Sequence, residues 1–226
     1  MESLGRRIWL TVIFLLGTGF IANSLCAQDA GGVRHVPSSS DIGAFFHGEL
    51  TESNHPALSR YNARYLLVMG EKPLSDGVGP SVPQIYRVVV ETRPHGIPLA
   101  VRLSVKADGS GEAVVKVTQN PRFSDTLAVY RTEVVSRENV DTFLKLLVTA
   151  SFWSEPVVEQ IDLSKPVRMG TMAAGWILEG AKEGSYHVVC RSIEPQASLT
   201  NAVMFLARSI GKLDLTSEGA LSSVSL

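Results

Sequence analysis

Residues 99–118 read LAVRLSVKADGSGEAVVKVT, and this stretch decides the fold. Apolar residues alternate with other residues on both sides of Asp108-Gly109-Ser110-Gly111. Alternation with period two is typical of half-buried antiparallel strands, and Asp and Gly tolerate the positive φ angles of tight turns. The stretch therefore predicts a β-hairpin with one apolar face, made by Leu99, Val101, Leu103, Val105, Val115 and Val117.

The same alternation extends along the chain from residue 61. It predicts strands over 63–69, 84–92, 99–106, 112–119 and 126–134. The connection 70–83 is rich in Gly and Pro and is longer than most loops of compact domains. We expect an exposed surface loop there, with a binding loop as the alternative.

The apolar period changes after residue 135. Ser136 can cap a helix over 137–150, and this helix should pack on the sheet through Val140, Phe143, Leu144, Leu147 and Val148. A second helix is predicted over about 198–210, ending at Gly211 and burying Val203, Phe205 or Leu206, and Ile210. Strands followed by helices predict an α+β fold, with an antiparallel sheet of about six or seven strands packed by two helices of the C-terminal half.

The most distinctive segment is GWILEGAKEGSYHVVCRSIEP, residues 175–195. It predicts two strands joined across a Lys-Glu-Gly turn. Simple alternation then places Glu179, His187 and Arg191 on the face opposite Trp176. A carboxylate, an imidazole and a guanidinium that converge in a cleft could perform acid–base chemistry or hold an anionic substrate. The favoured interpretation is that these residues have no catalytic role: opposite charges pair across an exposed sheet face, and Glu179 bonds Arg191.

This segment resembles a pattern in a family of uncharacterised exported bacterial proteins. The matching residues are Trp176, Glu179, Gly180, Gly184, Tyr186, Arg191 and Pro195. The resemblance covers about 143–210 and implies export and a sheet-and-helix fold, without an activity. Trp176 and Tyr186 are expected to be core residues rather than a platform for sugar binding.

The amino-terminal residues have the order of an export signal. Arg6 and Arg7 precede an apolar run over 8–22, and small residues then lead to Ala27. The run is about fifteen residues long, and a membrane span needs roughly twenty. We therefore expect a signal peptide over 1–27, cleaved before Gln28, with no later membrane span. A lipoprotein and a twin-arginine signal are the alternatives.

The other segments follow from composition. Residues 28–60 are expected to form a flexible leader, in which Phe45 and Phe46 make a short packed segment. Residues 61–215 are expected to form a single domain, and residues 216–226 a disordered tail.

The charge of the mature chain argues against a nucleic-acid partner. Cleavage of the signal peptide would remove two of 21 basic and one of 22 acidic residues, which leaves 19 basic and 21 acidic residues and a net charge near minus two. Such a chain lacks the basic patches that bind nucleic acid.

Cofactor and metal motifs are missing from the sequence. The five histidines, at 35, 47, 55, 95 and 187, lack ligand spacing, and only Cys190 would survive cleavage, which leaves no intramolecular disulfide. Cys190 and His187 should face opposite ways on one strand, which argues against a thiol–imidazole pair. We expect no cofactor and no metal.

These observations predict an exported protein, periplasmic or secreted. The favoured function is a non-enzymatic binding or interaction module for a protein, glycan or lipid of the cell envelope. The alternative is a small-molecule hydrolase that uses Glu179, His187 and Arg191.

Overall fold

A computed structural model describes residues 45–46, 63–92, 97–118, 127–158, 175–192, 198–213 and 215. All of them belong to one unit, Val36–Leu226. The predicted signal peptide, the tail and the leader apart from Phe45 and Phe46 lie outside the described residues. Phe45 and Phe46 are each only 1% exposed, as expected for a packed pair. The folded unit therefore includes residues before the predicted boundary at 61.

Six strands form one antiparallel sheet. They are β1 (Gln84–Thr92), β2 (Ile97–Val105), β3 (Gly111–Thr118), β4 (Leu127–Val135), β5 (Gly175–Lys182) and β6 (Ser185–Ser192). The first four strands follow one another as a meander, and β5 then pairs with β1, so the order is β4-β3-β2-β1-β5-β6. The predicted α+β class and the antiparallel sheet are confirmed.

In the part of the chain that the structure describes, three α-helices accompany the sheet. They are α1 (63–68), α2 (Arg137–Thr149) and α3 (Ser198–Met204), and α3 continues as a π-helical turn, Phe205–Ile210. The Ser136 hydroxyl caps α2 by accepting a hydrogen bond from the Asn139 amide at 3.3 Å. Val148 was expected on the packed face of α2 but is 76% exposed, so that part of the prediction is wrong.

The sheet buries side chains on both faces. One face, which we call the helix-covered face, packs against α2 and α3 and includes the apolar stripe predicted for the β2–β3 hairpin. The other face, which we call the charged face, carries Arg87 and Glu179 and packs against α1 and the two phenylalanines. The strand residues that pack in this cluster with α1 and the two phenylalanines are Val89, Ala100, Ile177 and Val188.

One prediction before β1 is wrong. Residues 63–68 are helical rather than extended, and the buried residues Ala63, Leu66 and Met69 recur at three-residue spacing, as on one side of a helix. A short apolar run cannot distinguish these cases by alternation alone. The connection 70–83 is exposed at seven of its fourteen residues, as expected for a surface loop, although Leu74, in the 3₁₀ turn Leu74–Gly77, packs at 2% exposure.

The two predicted turns have the expected chemistry. Gly109 has a φ of 83°, and the Asp108 carboxylate accepts a hydrogen bond from the Ser110 amide at 2.9 Å. Between β5 and β6, Glu183 and Gly184 have φ angles of 36° and 73°. Positive φ at both central residues is typical of the type I′ turn that closes a two-residue hairpin.

Candidate functional site

The length of the β5–β6 turn decides where the predicted site residues lie. With two residues in the loop, odd-numbered residues of β5 pair with even-numbered residues of β6, as Glu179 does with Val188. Even-numbered residues of β5 likewise pair with odd-numbered residues of β6, as Gly180 does with His187. Paired residues share a face. Glu179 therefore lies on the charged face, while His187 and Arg191 lie on the helix-covered face. The prediction that all three share one face is wrong, because it assumed a turn of odd length.

His187 is a packed residue of the helix-covered face. Its side chain is only 8% exposed, and its ring centroid lies 5.1 Å from that of Phe152 and 6.3 Å from that of Trp153. Gly180, directly opposite, makes room for these rings, because a Cβ there would lie 2.8 Å from Phe152. His187 therefore makes edge-to-face and tilted ring contacts in the space that the missing side chain of Gly180 leaves open.

Arg191 fixes a neighbouring segment to the outer edge of β6. Its guanidinium donates to the carbonyls of Pro156 at 2.7 Å and Val157 at 3.2 Å, and forms an ion pair with Glu155 at 3.2 Å. The Cys190 amide also donates to the Val157 carbonyl at 2.7 Å. These bonds give Arg191 a structural role. Cys190 packs on the charged face, opposite to His187, as expected.

Glu179 is bonded to Arg87 rather than to Arg191. The Arg87 guanidinium approaches the carboxylate side-on, with Nε to Oε2 at 2.7 Å and Nη2 to Oε1 at 2.9 Å. The Tyr186 hydroxyl donates to Oε1 at 2.9 Å. Phe45 covers the pair, with Arg87 Cζ 5.0 Å from its ring centroid. Both charged side chains are fully buried.

A second carboxylate, Glu71, completes a network on the charged face. It contacts Arg87 Nη1 at 3.2 Å, Arg102 Nε at 3.1 Å and Lys116 Nζ at 2.7 Å. We call the six residues of this network the buried charge cluster; they are Glu71, Arg87, Arg102, Lys116, Glu179 and Tyr186.

The end of α1 places Glu71 in the cluster. Gly70 has a φ of 63°, its amide bonds the Leu67 carbonyl at 2.9 Å, and the Glu71 amide bonds the Leu66 carbonyl at 2.8 Å. These two bonds and the left-handed glycine make a Schellman motif. Glu71 thus turns inward as the first residue after the helix cap, towards the strands.

The two carboxylates differ in their electrostatics. Burial alone would raise the pKa of Glu71, but Arg87, Arg102 and Lys116 hold that pKa below its usual value near 4.5. Burial raises the pKa of Glu179, and the Arg87 guanidinium opposes the rise. Burial and the neighbouring Glu179 carboxylate raise the pKa of the Tyr186 hydroxyl well above 10.

Arg102 connects the buried charge cluster to solvent. Its side chain is 32% exposed, whereas those of Glu71 and Lys116 are 2% and 8% exposed. Beside it lies a surface pocket of about 220 Å³. The pocket is lined by Arg102 together with part of the connection before β1, namely Gly70, Glu71, Lys72, Pro73, Leu74, Asp76 and Gly77, and by Ile85.

Sequence reasoning named only Glu179 of this cluster as a candidate site residue, whereas it expected Tyr186 to be a core residue. A signal for three others was present, because Arg87, Arg102 and Lys116 each interrupt a strand that is otherwise rich in apolar residues. A charged side chain in such a strand is expected to be buried, and a buried charge needs an oppositely charged partner to offset the cost of its desolvation. The partner of each charge cannot be predicted from the neighbouring sequence, since Glu179 and Arg87, for example, are 92 residues apart in the chain.

The described part of the chain holds no group of three or more His, Cys, Asp or Glu side chains arranged to bind a metal ion. Within the same residues, no helix is both long enough and apolar enough to cross a bilayer. No protein-family model matches this chain, and a search of curated proteins finds no match either.

Proposed function

We propose that this chain is an exported binding module, periplasmic or secreted, that acts without catalysis and holds an anionic group of its partner at Arg102. The partner is a protein, glycan or lipid of the cell envelope. Support for export comes from the signal-like residues 1–27 and from the resemblance of the β5–β6 hairpin to exported bacterial proteins. The binding site rests on one observation, the half-buried Arg102 guanidinium in the wall of a pocket.

The charge balance of the buried charge cluster favours an anion. Three cationic side chains face two carboxylates, so one positive charge has no counterpart within the cluster. Arg102 is the only charged member with substantial solvent exposure, so the excess charge is available there. Lys72 and Asp76 on the pocket wall offset each other. A planar guanidinium also suits carboxylates and phosphates, which it can bind through two parallel hydrogen bonds.

The size of the pocket favours an end group of a larger partner. Its volume of about 220 Å³ is below the roughly 300–1,000 Å³ of sites that enclose whole small molecules. Leu74 and Ile85 supply an apolar part of the wall. A uronic acid residue, a phosphate headgroup or an acidic side chain of a protein would each fit this combination.

The hydrolase alternative gains no support from the arrangement of its residues. Glu179 and His187 lie on opposite faces of one hairpin, and Arg191 is bonded to residues 155–157. Acid–base chemistry needs these groups within hydrogen-bond reach of one substrate.

Calorimetric titration of the purified protein tests the proposal. The probes are glucuronate, inorganic phosphate and acetate, with sodium chloride at matched ionic strength as the blank. We expect saturable binding of at least one probe, lost in Arg102→Gln and kept in Arg137→Gln, which removes the same charge from an exposed position. Thermal melts of both variants verify folding. Absence of saturable binding by all three probes, or equal loss in both variants, would overturn the proposal.

A further inference from the structure

The two edges of the sheet differ in how they are protected. At the β6 edge, Val158 pairs with Cys190, and Arg191 bonds the carbonyls of residues 156 and 157. At the β4 edge, no strand among the described residues pairs with the outer side. Free edges expose unpaired backbone groups and are templates for pairing with another chain.

The β4 strand also lacks most of the features that prevent edge strands from pairing with another chain, such as proline, a central bulge or a short length. It is nine residues long, LAVYRTEVV, with no proline, and its irregular register lies at the far end, beside Val117 and Thr118. Tyr130 and Val134 are 65% and 87% exposed, and they are two of the three exposed large hydrophobic residues in the described part of the chain. Both lie on the charged face, because they pair with Lys116 and Glu112.

We infer that the β4 edge binds a second copy of this chain, joining the two sheets as antiparallel neighbours around a two-fold axis at Thr132. In that register, Thr132 faces Thr132 of the partner subunit, and Arg131 faces Glu133 of the partner subunit. Within each copy Arg131 already pairs with Glu133 at 3.3 Å, and Glu133 with Lys212 at 2.6 Å, so the facing charges extend an existing ion-pair network. Tyr130 then faces Val134 of the partner subunit. A two-fold axis makes each of these contacts occur twice, apart from the one on the axis.

Among the centres at Arg131, Thr132 and Glu133, only Thr132 places complementary side chains opposite each other. Thr–Thr pairs, opposite charges and aromatic–β-branched pairs are the cross-strand pairs that stabilise antiparallel strands. Moving the axis by one residue to Arg131 or to Glu133 places two like charges opposite each other, which is destabilising. The inference depends on β4 alone and is independent of the pocket beside Arg102.

Sedimentation equilibrium from micromolar to millimolar protein tests the inference. We expect a reversible dimer whose Kd rises at least about tenfold in Val134→Lys and in Tyr130→Glu, because each variant removes both cross-strand apolar pairs of the dimer. Both side chains are exposed, so the variants are expected to fold. Val148→Lys, the same change at an exposed site in α2, should leave the Kd unchanged.

Mixing the two variants tests the register. In a mixed dimer, the glutamate introduced at position 130 of one copy faces the lysine introduced at position 134 of the other, and the second site keeps its native pair of Tyr130 and Val134. We therefore expect the mixture to dimerise more tightly than either variant alone. In addition, Thr132→Cys should form an intermolecular disulfide under mild oxidation, whereas Val148→Cys should not.

A monomer at every concentration would overturn the inference. So would a dimer that is equally sensitive to the changes at positions 134 and 148. A dimer weakened at position 134 but not strengthened by mixing would contradict the register centred on Thr132.

Discussion

Arg87 and Glu179, 92 residues apart in sequence, form a side-on ion pair with Nε–Oε2 and Nη2–Oε1 distances of 2.7 and 2.9 Å. Both side chains are fully buried between β1 and β5. The β1–β5 pairing joins the meander to the C-terminal hairpin, and this ion pair spans that junction. Glu179 was a candidate catalytic residue, and the geometry makes it a structural partner instead.

Removal of Glu179 should be strongly destabilising. Glu179→Ala leaves the Arg87 charge buried with only Glu71 nearby, and breaking a buried pair from one side costs about 3–5 kcal/mol. Urea denaturation monitored by circular dichroism measures the loss. The double variant Arg87→Met with Glu179→Leu removes both charges and should be less destabilised than Glu179→Ala. A cost below about 1 kcal/mol for Glu179→Ala would contradict the structural role.

The stability should fall at acid pH because of Glu71. Its pKa is lowered in the folded state, so its contribution is fully present above about pH 4.5 and is lost as the pH falls through the folded value. Melting temperatures between neutral pH and pH 3 measure this loss. In Glu71→Gln the stability at neutral pH should be lower and the decline towards acid shallower. Parallel pH profiles for the two proteins would show that Glu71 does not carry the effect.

Trp176 should matter for stability rather than for binding. It is 1% exposed on the helix-covered face, and its indole N–H has no acceptor among the described residues. Trp176→Ala should therefore cost roughly 3–5 kcal/mol in the free energy of unfolding. Trp176→Phe should cost less, since it keeps an aromatic ring and removes the unpaired donor. An unchanged melting temperature with lost ligand binding would contradict this assignment.

The Cys190 thiol should be unreactive in the native protein. Burial raises its pKa to about 11, so almost none of it is thiolate at neutral pH. Alkylation by iodoacetamide, followed by mass spectrometry of the Cys190 peptide, should be slow in the native state and fast in denaturant. The native rate should increase with pH up to about pH 11. Equal rates in the native and denatured states at neutral pH would be the contrary result.

The larger part of the fold follows from local sequence patterns. Period-two alternation identifies β1 to β4, the Asp-Gly turn sets the β2–β3 hairpin, and the three- and four-residue spacing after Ser136 identifies α2. Each of these signals lies within one element or one turn, so no distant partner is needed to interpret it.

The site could not be predicted in the same way. A change of one residue in the assumed β5–β6 turn length moved His187 to the other face, because side chains alternate with period two. The partners of Glu179 and Arg102 come from other strands and from the end of α1, and a local pattern does not encode such pairings. The helix 63–68 was missed because a short apolar run fits both a strand and a helix.

The most direct test of the proposed binding site is the Arg102 Nε–Hε resonance in a ¹⁵N spectrum recorded during titration with glucuronate. The account predicts a saturable shift of this resonance, while the Arg87 resonance in the buried pair stays in place. The backbone amides of the pocket wall should shift with it, namely Gly70, Glu71, Lys72, Leu74, Asp76 and Gly77. A spectrum unchanged up to millimolar glucuronate, phosphate and acetate, or shifts centred on His187 and Arg191 instead, would contradict it.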